Sequence, residues 1–128
     1  MKLSVLYLDD ERGCLDVFYE TFRREYDVRT VAGAAEALRM LAERPADIVI
    51  SDQTMPDIKG TDFLAEVAAA YPSSYRVILT GSISVVSVRP EVGGGLIQLF
   101  APKPWTAESL HQMLERARAH IESKRGGR

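Results

Sequence analysis

KLSVLYLDDE, residues 2–11, is a nearly unbroken apolar run that ends in three acids. A strand with one wet face alternates apolar and polar residues, whereas a strand covered on both faces stays apolar throughout. DIVIS (47–51), which runs into Asp52, and YRVIL (75–79), which runs into Thr80, have the same character. These runs predict parallel strands with helices on both sides of the sheet. Further out, YDVRTV (26–31) predicts a second strand and LIQLF (96–100) a fifth. The stretches between them have helical spacing. Residues 11–25 set Leu15, Phe18 and Phe22 on one face, and residues 34–44 turn Ala37, Leu38 and Leu41 inward before Pro45. Residues 61–71 bury Phe63, Leu64, Val67 and Ala68, and Pro72 stops them. A last helix over 106–123 carries Leu110, Met113, Leu114, Ala117 and Ile121 as one stripe. Five strands alternating with helices predict a doubly wound α/β domain. Right-handed crossovers then bring every strand C-terminus to one edge.

One stretch is less regular. SISVVSVRPEVGGG (82–95) stands where a fourth helix belongs. It is rich in β-branched residues, contains Pro90 and ends in Gly93, Gly94 and Gly95, each of which lowers helix stability. A short or irregular helix is expected there. Residues 1–123 are read as the domain, and 124–128 as a polar tail or the start of a linker.

Composition narrows the function classes. The 128 residues suit one domain. A formal net charge of -2 argues against a general nucleic-acid or anionic-membrane surface. A lone cysteine, Cys14, makes no internal disulfide and points to a reducing compartment. It lies in a helical pattern with no histidine nearby, so it reads as a core or helix-face residue rather than a nucleophile. No signal-peptide pattern and no membrane-length apolar run is present, so a cytoplasmic location is expected. His111 and His120 fall in the last helix and read as solvated side chains.

The polar residues at the strand ends carry the chemistry. Asp9 and Asp10 follow strand 1, Asp52 follows strand 3, Thr80 follows strand 4, and Lys103 lies just after strand 5. In a parallel sheet these positions converge on the carboxyl edge, where open α/β folds place their sites. Three crowded carboxylates repel one another unless a cation joins them. A hard divalent ion such as Mg²⁺ meets that need with oxygen ligands. Asp10 and Asp52 are the expected direct ligands, Asp9 acts through water, and the Thr54 carbonyl adds another oxygen. A metal-held carboxylate can attack phosphorus. Lys103 would then pair with the phosphoryl group and Thr80 would hydrogen-bond it, while Gly81 keeps the approach open. Each residue alone has a plainer use: Asp10 could cap a helix and Asp52 could start an Asx-turn. Their joint placement after four strands is harder to explain that way.

These residues lie in motifs that resemble the response-regulator receiver domain over residues 2–123. The motifs are LYLDDE (6–11), SDQTMPDIKG (51–60), ILTG (78–81) and FAPKPW (100–105). Their phrasing is similar to receivers attached to hydrogenase-type regulators and to cyclic-di-nucleotide phosphodiesterases. The resemblance implies a flavodoxin-like fold with strand order 2-1-3-4-5. It implies Asp52 as phosphoacceptor, Asp9 and Asp10 as the acidic metal pair, and Lys103 as the pocket lysine. Thr80 and Phe100 would be the switch pair, and the Lys103–Pro104 bond would be cis. It also implies a sensor histidine kinase as donor. The surface of the fourth helix, fifth strand and last helix would change to control an output domain or downstream protein, often through a phosphorylation-linked homodimer. This chain departs from the usual pattern in residues 82–95 and in Pro102 directly before Lys103. Thr54 and Ser82 stand at positions that tune phosphate lifetime.

Two other functions compete. A phosphorylation-independent binding module would keep the pocket and signal by contact alone. An aspartyl-nucleophile phosphatase would want a second acid two residues after Asp52, where Thr54 stands. The receiver reading makes the chain a phosphoacceptor signalling domain rather than an enzyme, with self-catalysed transfer and slow autodephosphorylation only.

Overall fold

The computed structural model describes residues 2–81 and 97–126, with Phe100 and Gly126 described by backbone alone. The strands are β1 (Ser4–Leu8), β2 (Asp27–Val31), β3 (Ile48–Asp52), β4 (Tyr75–Thr80) and β5 (Leu99–Pro102). The helices among the described residues are α1 (Arg12–Phe22), α2 (Ala34–Glu43), α3 (Gly60–Ala70) and α4 (Ala107–Gly126). All strand pairs are parallel, in the order β2-β1-β3-β4-β5. The sheet and its order agree with the sequence reading. The helix expected at residues 82–95 lies outside the described residues.

β1, β3 and β4 are buried at every position, as central strands covered on both faces should be. Successive side chains point to opposite faces. Val5, Tyr7, Ile48, Ile50, Val77 and Leu79 face α1 and α4 and join Leu15, Phe18, Leu110 and Leu114 in one core. Leu6, Leu8, Val49 and Ile78 face the other way and pack with Ala37, Leu41, Phe63 and Leu64 of α2 and α3. The helix stripes are those expected, except that Leu38 and Ala68 are half-buried.

Three boundaries differ by three residues from the sequence reading. The first helix was expected to run to residue 25, but α1 ends at Phe22, with Arg23 as its C-cap. The fifth strand was expected at 96–100, but β5 is Leu99–Pro102. Ile97 is fully buried in the α2–α3 core, and the Gln98 side chain accepts the Arg76 N–H at 2.7 Å, so regular pairing starts later. Pro102 does not stop the strand, because β5 ends the sheet in the described order. Pro102 has no N–H to donate, and Lys103 N–H bonds the Thr80 carbonyl at 2.9 Å. The last helix was expected to end at residue 123 with a frayed tail. It continues to Gly126, with Lys124 and Arg125 in its last turn, where cations favour the helix dipole. Arg125 also reaches Asp47 at 2.6 Å. At the other end of α4, Thr106 and Ser109 cap each other reciprocally, with N–H to hydroxyl distances of 3.0 Å both ways.

Candidate functional site

β1 ends at Leu8, so Asp9 and Asp10 begin the turn into α1 at the carboxyl edge of the sheet. Asp9 is fully buried, and its carboxylate has three donors. Tyr7 hydroxyl and Lys103 Nζ donate to Oδ2, the latter at 3.0 Å, and the Glu11 N–H donates to Oδ1 at 2.9 Å. Buried carboxylates persist when paired and hydrogen-bonded in this way. Asp10 is exposed and lines the neighbouring cleft. It is not the cap of α1: Glu11 occupies the N-cap, and its N–H goes to Asp9.

Asp52 is the last residue of β3 and is 5% exposed. Among the described residues its carboxylate serves no turn. Its ionic partner is Lys103, 3.6 Å from Oδ1. The Asp52 backbone is held by α3, and the reason is Gly60. A Cβ there would lie 2.3 Å from the Asp52 carbonyl oxygen and 2.9 Å from Ile78, so only glycine admits this approach. Gln53 completes the support. Its N–H bonds the Leu79 carbonyl at 2.9 Å, and its side-chain oxygen accepts the Thr61 N–H at 2.9 Å in the first turn of α3.

Oxygen atoms of Asp9, Asp10 and Asp52 all lie within 4.8 Å of one another. Burial raises the Asp52 carboxyl above the ordinary carboxylate range. The charges of Asp9 and Asp10 push the same way, and Lys103 opposes them. Burial alone would disfavour the Lys103 ammonium. Hydrogen bonds to Asp9 and Glu11, with the charges of Asp9 and Asp52, outweigh it and hold the ammonium protonated well above the usual lysine range. Hard oxygen donors crowded to this degree fit a small divalent cation. The cleft beside them has a volume of about 1110 Å³ and is lined by Asp10, Glu11, Asp52, Thr54, Lys103 and Trp105 among others.

The structure thus brings Asp9, Asp10, Asp52 and Lys103 together, with Thr54 on the same cleft. Thr80 ends β4 at the same edge but is buried at 3% exposure and does not line the cleft. Phe100 pairs with Ile78 through its backbone in β5, and its side chain lies outside the described residues. The Lys103–Pro104 bond is cis, as expected. Gly81 lines the cleft, yet a Cβ there would meet Lys103 only at ordinary contact distances of 3.7 and 3.9 Å, so space does not demand glycine at that position. Cys14 is no activated thiol: burial raises its pKa, as does the charge of Asp9. His111 and His120 are exposed, His120 with its ring 5.2 Å from Tyr75.

Three functional positions were missed in the sequence. Tyr7 looks like any strand core residue, Glu11 like the start of a helix, and Gly60 like a loop glycine. A Glu directly after the acidic pair was a visible signal for Glu11. Nothing local marked Tyr7.

Residues 5–115 match the response regulator receiver domain family. The chain belongs to that family. It is 31% identical over 116 residues to the hydrogenase transcriptional regulatory protein HoxA of Cupriavidus necator, covering 91% of this chain and 24% of that protein. It is 25% identical over 115 residues to the DNA-binding transcriptional regulator NtrC of Azospirillum brasilense, covering 89% and 24%. The chain spans about a quarter of the length of these curated relatives. Among solved structures it is similar to the signal receiver domain of an HD domain-containing protein from Pseudomonas fluorescens Pf-5, at 28% identity and a TM-score of 0.87 over 98% of this chain and 93% of that one. The chemotaxis response regulator CheY4 of Vibrio cholerae gives 27% identity and a TM-score of 0.82 over 91% and 99%. Receiver domains are signalling domains that generally bind Mg²⁺ at an acidic pocket, and this one has the acidic group. No helix among the described residues is long and apolar enough to cross a membrane.

Proposed function

We propose that Asp52 accepts a phosphoryl group from a sensor histidine kinase, in a site that holds Mg²⁺ through Asp10 and Asp52. Asp9, acting through water, and the Thr54 carbonyl complete the ion's surroundings. The observation that carries this reading is the meeting of three carboxylates with Lys103 on one open cleft. Mg²⁺, when bound, neutralises charge on the carboxylates and on phosphoryl oxygens.

Asp52 supplies the nucleophile. A carboxylate oxygen forms the new O–P bond as the donor's P–N bond to histidine breaks, and the imidazole nitrogen keeps that electron pair. With acetyl phosphate the P–O bond breaks instead and acetate leaves. Lys103 stands 3.6 Å from Asp52 Oδ1, close enough to balance charge on the arriving group. Thr80 hydrogen-bonds a phosphoryl oxygen and, with Phe100, passes the change to the surface of the expected fourth helix, β5 and α4. That surface then controls an output domain or a partner, including a second copy of the chain. The relatives HoxA and NtrC are transcriptional regulators, which favours transcription as the output. The domain works in the cytoplasm, does not bind nucleic acid by itself, and turns over no substrate beyond its own phosphoryl group.

Intact mass after incubation with Mg²⁺ and acetyl phosphate tests this. One added phosphoryl mass, absent in Asp52→Asn and removed by hydroxylamine, is the expected result. No added mass in folded, Mg²⁺-binding protein would overturn it and leave a contact-only binding module.

A further inference from the structure

Lys103 has a second partner in the cleft. Its Nζ lies 3.0 Å from Glu11 Oε1, as close as it lies to Asp9 Oδ2 and closer than the 3.6 Å to Asp52 Oδ1. The Glu11 side chain is 65% exposed and lines the cleft. It has no structural duty in α1. The Glu11 side chain makes no capping bond, and the residue's cap role belongs to its backbone carbonyl, which accepts the Cys14 and Leu15 N–H groups at 3.0 and 3.2 Å. Cys14 Sγ approaches Oε1 at 3.8 Å, a weak contact that an amide oxygen would also accept. Asp9 alone already gives Lys103 a buried counter-charge. The Glu11 contact is therefore additional, and Glu11, Lys103 and Asp52 line the same cleft.

We propose that Glu11 is a positioning residue: its carboxylate holds Lys103 at rest and competes with the incoming phosphoryl group for the same ammonium. This rests on the reading of Asp52 as phosphoacceptor. On phosphoryl arrival Lys103 exchanges Glu11 for a phosphoryl oxygen and keeps Asp9. An ammonium has three donors, so the exchange needs no other partner to leave. Glu11 also brings its own negative charge to the cleft, which opposes a dianionic group. A half-exposed ion pair is a modest restraint. Glu11 thus sets how readily the phosphoryl group is taken up and how long it stays, while Asp52 decides whether it is taken up at all.

The test uses beryllofluoride, a phosphoryl mimic, titrated at saturating Mg²⁺ and followed by fluorescence of Trp105, the chain's one tryptophan, which lines the cleft. Glu11→Gln should lower the half-saturating concentration about 3-fold and raise the acetyl phosphate uptake rate by a similar factor. Glu11→Ala should do the same, and Glu11→Asp should return part of the wild-type restraint. In the absence of Mg²⁺, NMR signals of an ordered Lys103 ammonium should be present in the wild type and broadened in Glu11→Gln. A purely structural role would not move these readouts together. Unchanged or weaker beryllofluoride binding in both Glu11→Gln and Glu11→Ala overturns the proposal, as does an ammonium signal indifferent to the change. A wild type that takes up neither beryllofluoride nor a phosphoryl group overturns the phosphoacceptor reading itself, a different failure from an unresponsive Glu11.

Discussion

At the amino edge of the sheet, Asp47 accepts the Ser4 N–H at 2.9 Å and pairs with Arg125 at 2.6 Å, and Asp27 pairs with Arg44 at 2.6 Å. Arginines also close helix ends there. Arg29 donates to the carbonyls of Met40 in the last turn of α2 and Arg44 just beyond it, and the buried Arg76 to those of Tyr71 and Ser74 beyond α3. At the carboxyl edge, Asp9, Glu11 and Asp52 gather around Lys103, and Asp10 stands with Asp9 and Asp52. At the first edge each of these carboxylates has its own arginine and two further arginines bond carbonyls, whereas the second edge gathers several carboxylates on one lysine. An edge that served only the fold would gain nothing from the second arrangement, because crowded like charges destabilise. The imbalance is what a divalent cation and a phosphoryl group would resolve.

The strongest way to break this comparison is through Gly60. Gly60→Ala drives a Cβ to within 2.3 Å of the Asp52 carbonyl. Overpacking of this kind costs about 3 kcal/mol and should lower Tm by roughly 10 °C, with Mg²⁺ affinity falling as Asp52 shifts. An unchanged Tm would mean that α3 does not hold Asp52 as described.

Lys103→Met comes next. It leaves the fully buried Asp9 without its cation. Removing one partner of a largely buried pair should cost about 2 kcal/mol in Mg²⁺-free buffer, and added Mg²⁺ should return part of that. A loss that Mg²⁺ does not touch would place the effect in packing.

Asp52→Asn should act in the opposite direction. Asp52 has a folded-state pKa raised above its unfolded value, first by burial and then by Asp9. Its ionisation therefore opposes folding, with no penalty below about pH 4 and a growing one as pH rises through the folded value. At neutral pH without Mg²⁺, Asp52→Asn should therefore stabilise the domain. The gain should vanish at low pH and in excess Mg²⁺. Destabilisation under Mg²⁺-free conditions would remove the claim of an overloaded edge.

The amino edge supplies the smallest effect. Arg125 is 63% exposed in its side chain, so Arg125→Ala should cost under about 1 kcal/mol and leave Mg²⁺ affinity unchanged. A change in Mg²⁺ affinity would show that the two edges are not independent.

Much of this arrangement was legible in the sequence for physical reasons. Strands covered on both faces must be apolar throughout, so residues 2–8, 47–51 and 75–79 stood out, and the parallel order then sent Asp9, Asp10, Asp52, Thr80 and Lys103 to one edge. What stayed hidden depends on approach in space. Gly60 matters because Asp52's backbone lies against it, and Glu11 matters because Lys103, 92 positions away, reaches it. The start of β5 was misread because Gln98 fills a ladder position with its side chain, and its end because an edge strand tolerates Pro102. The end of α4 was misread because Lys124 and Arg125 looked like a polar tail rather than a last turn suited to the helix dipole.

The most direct test of the overloaded edge is calorimetric titration of Mg²⁺ into the wild type, Asp10→Asn and Asp52→Asn. One bound ion in the wild type, with affinity reduced at least about tenfold in each variant, is the predicted result. Affinity indifferent to both substitutions, or no binding to the folded wild type, would contradict the account.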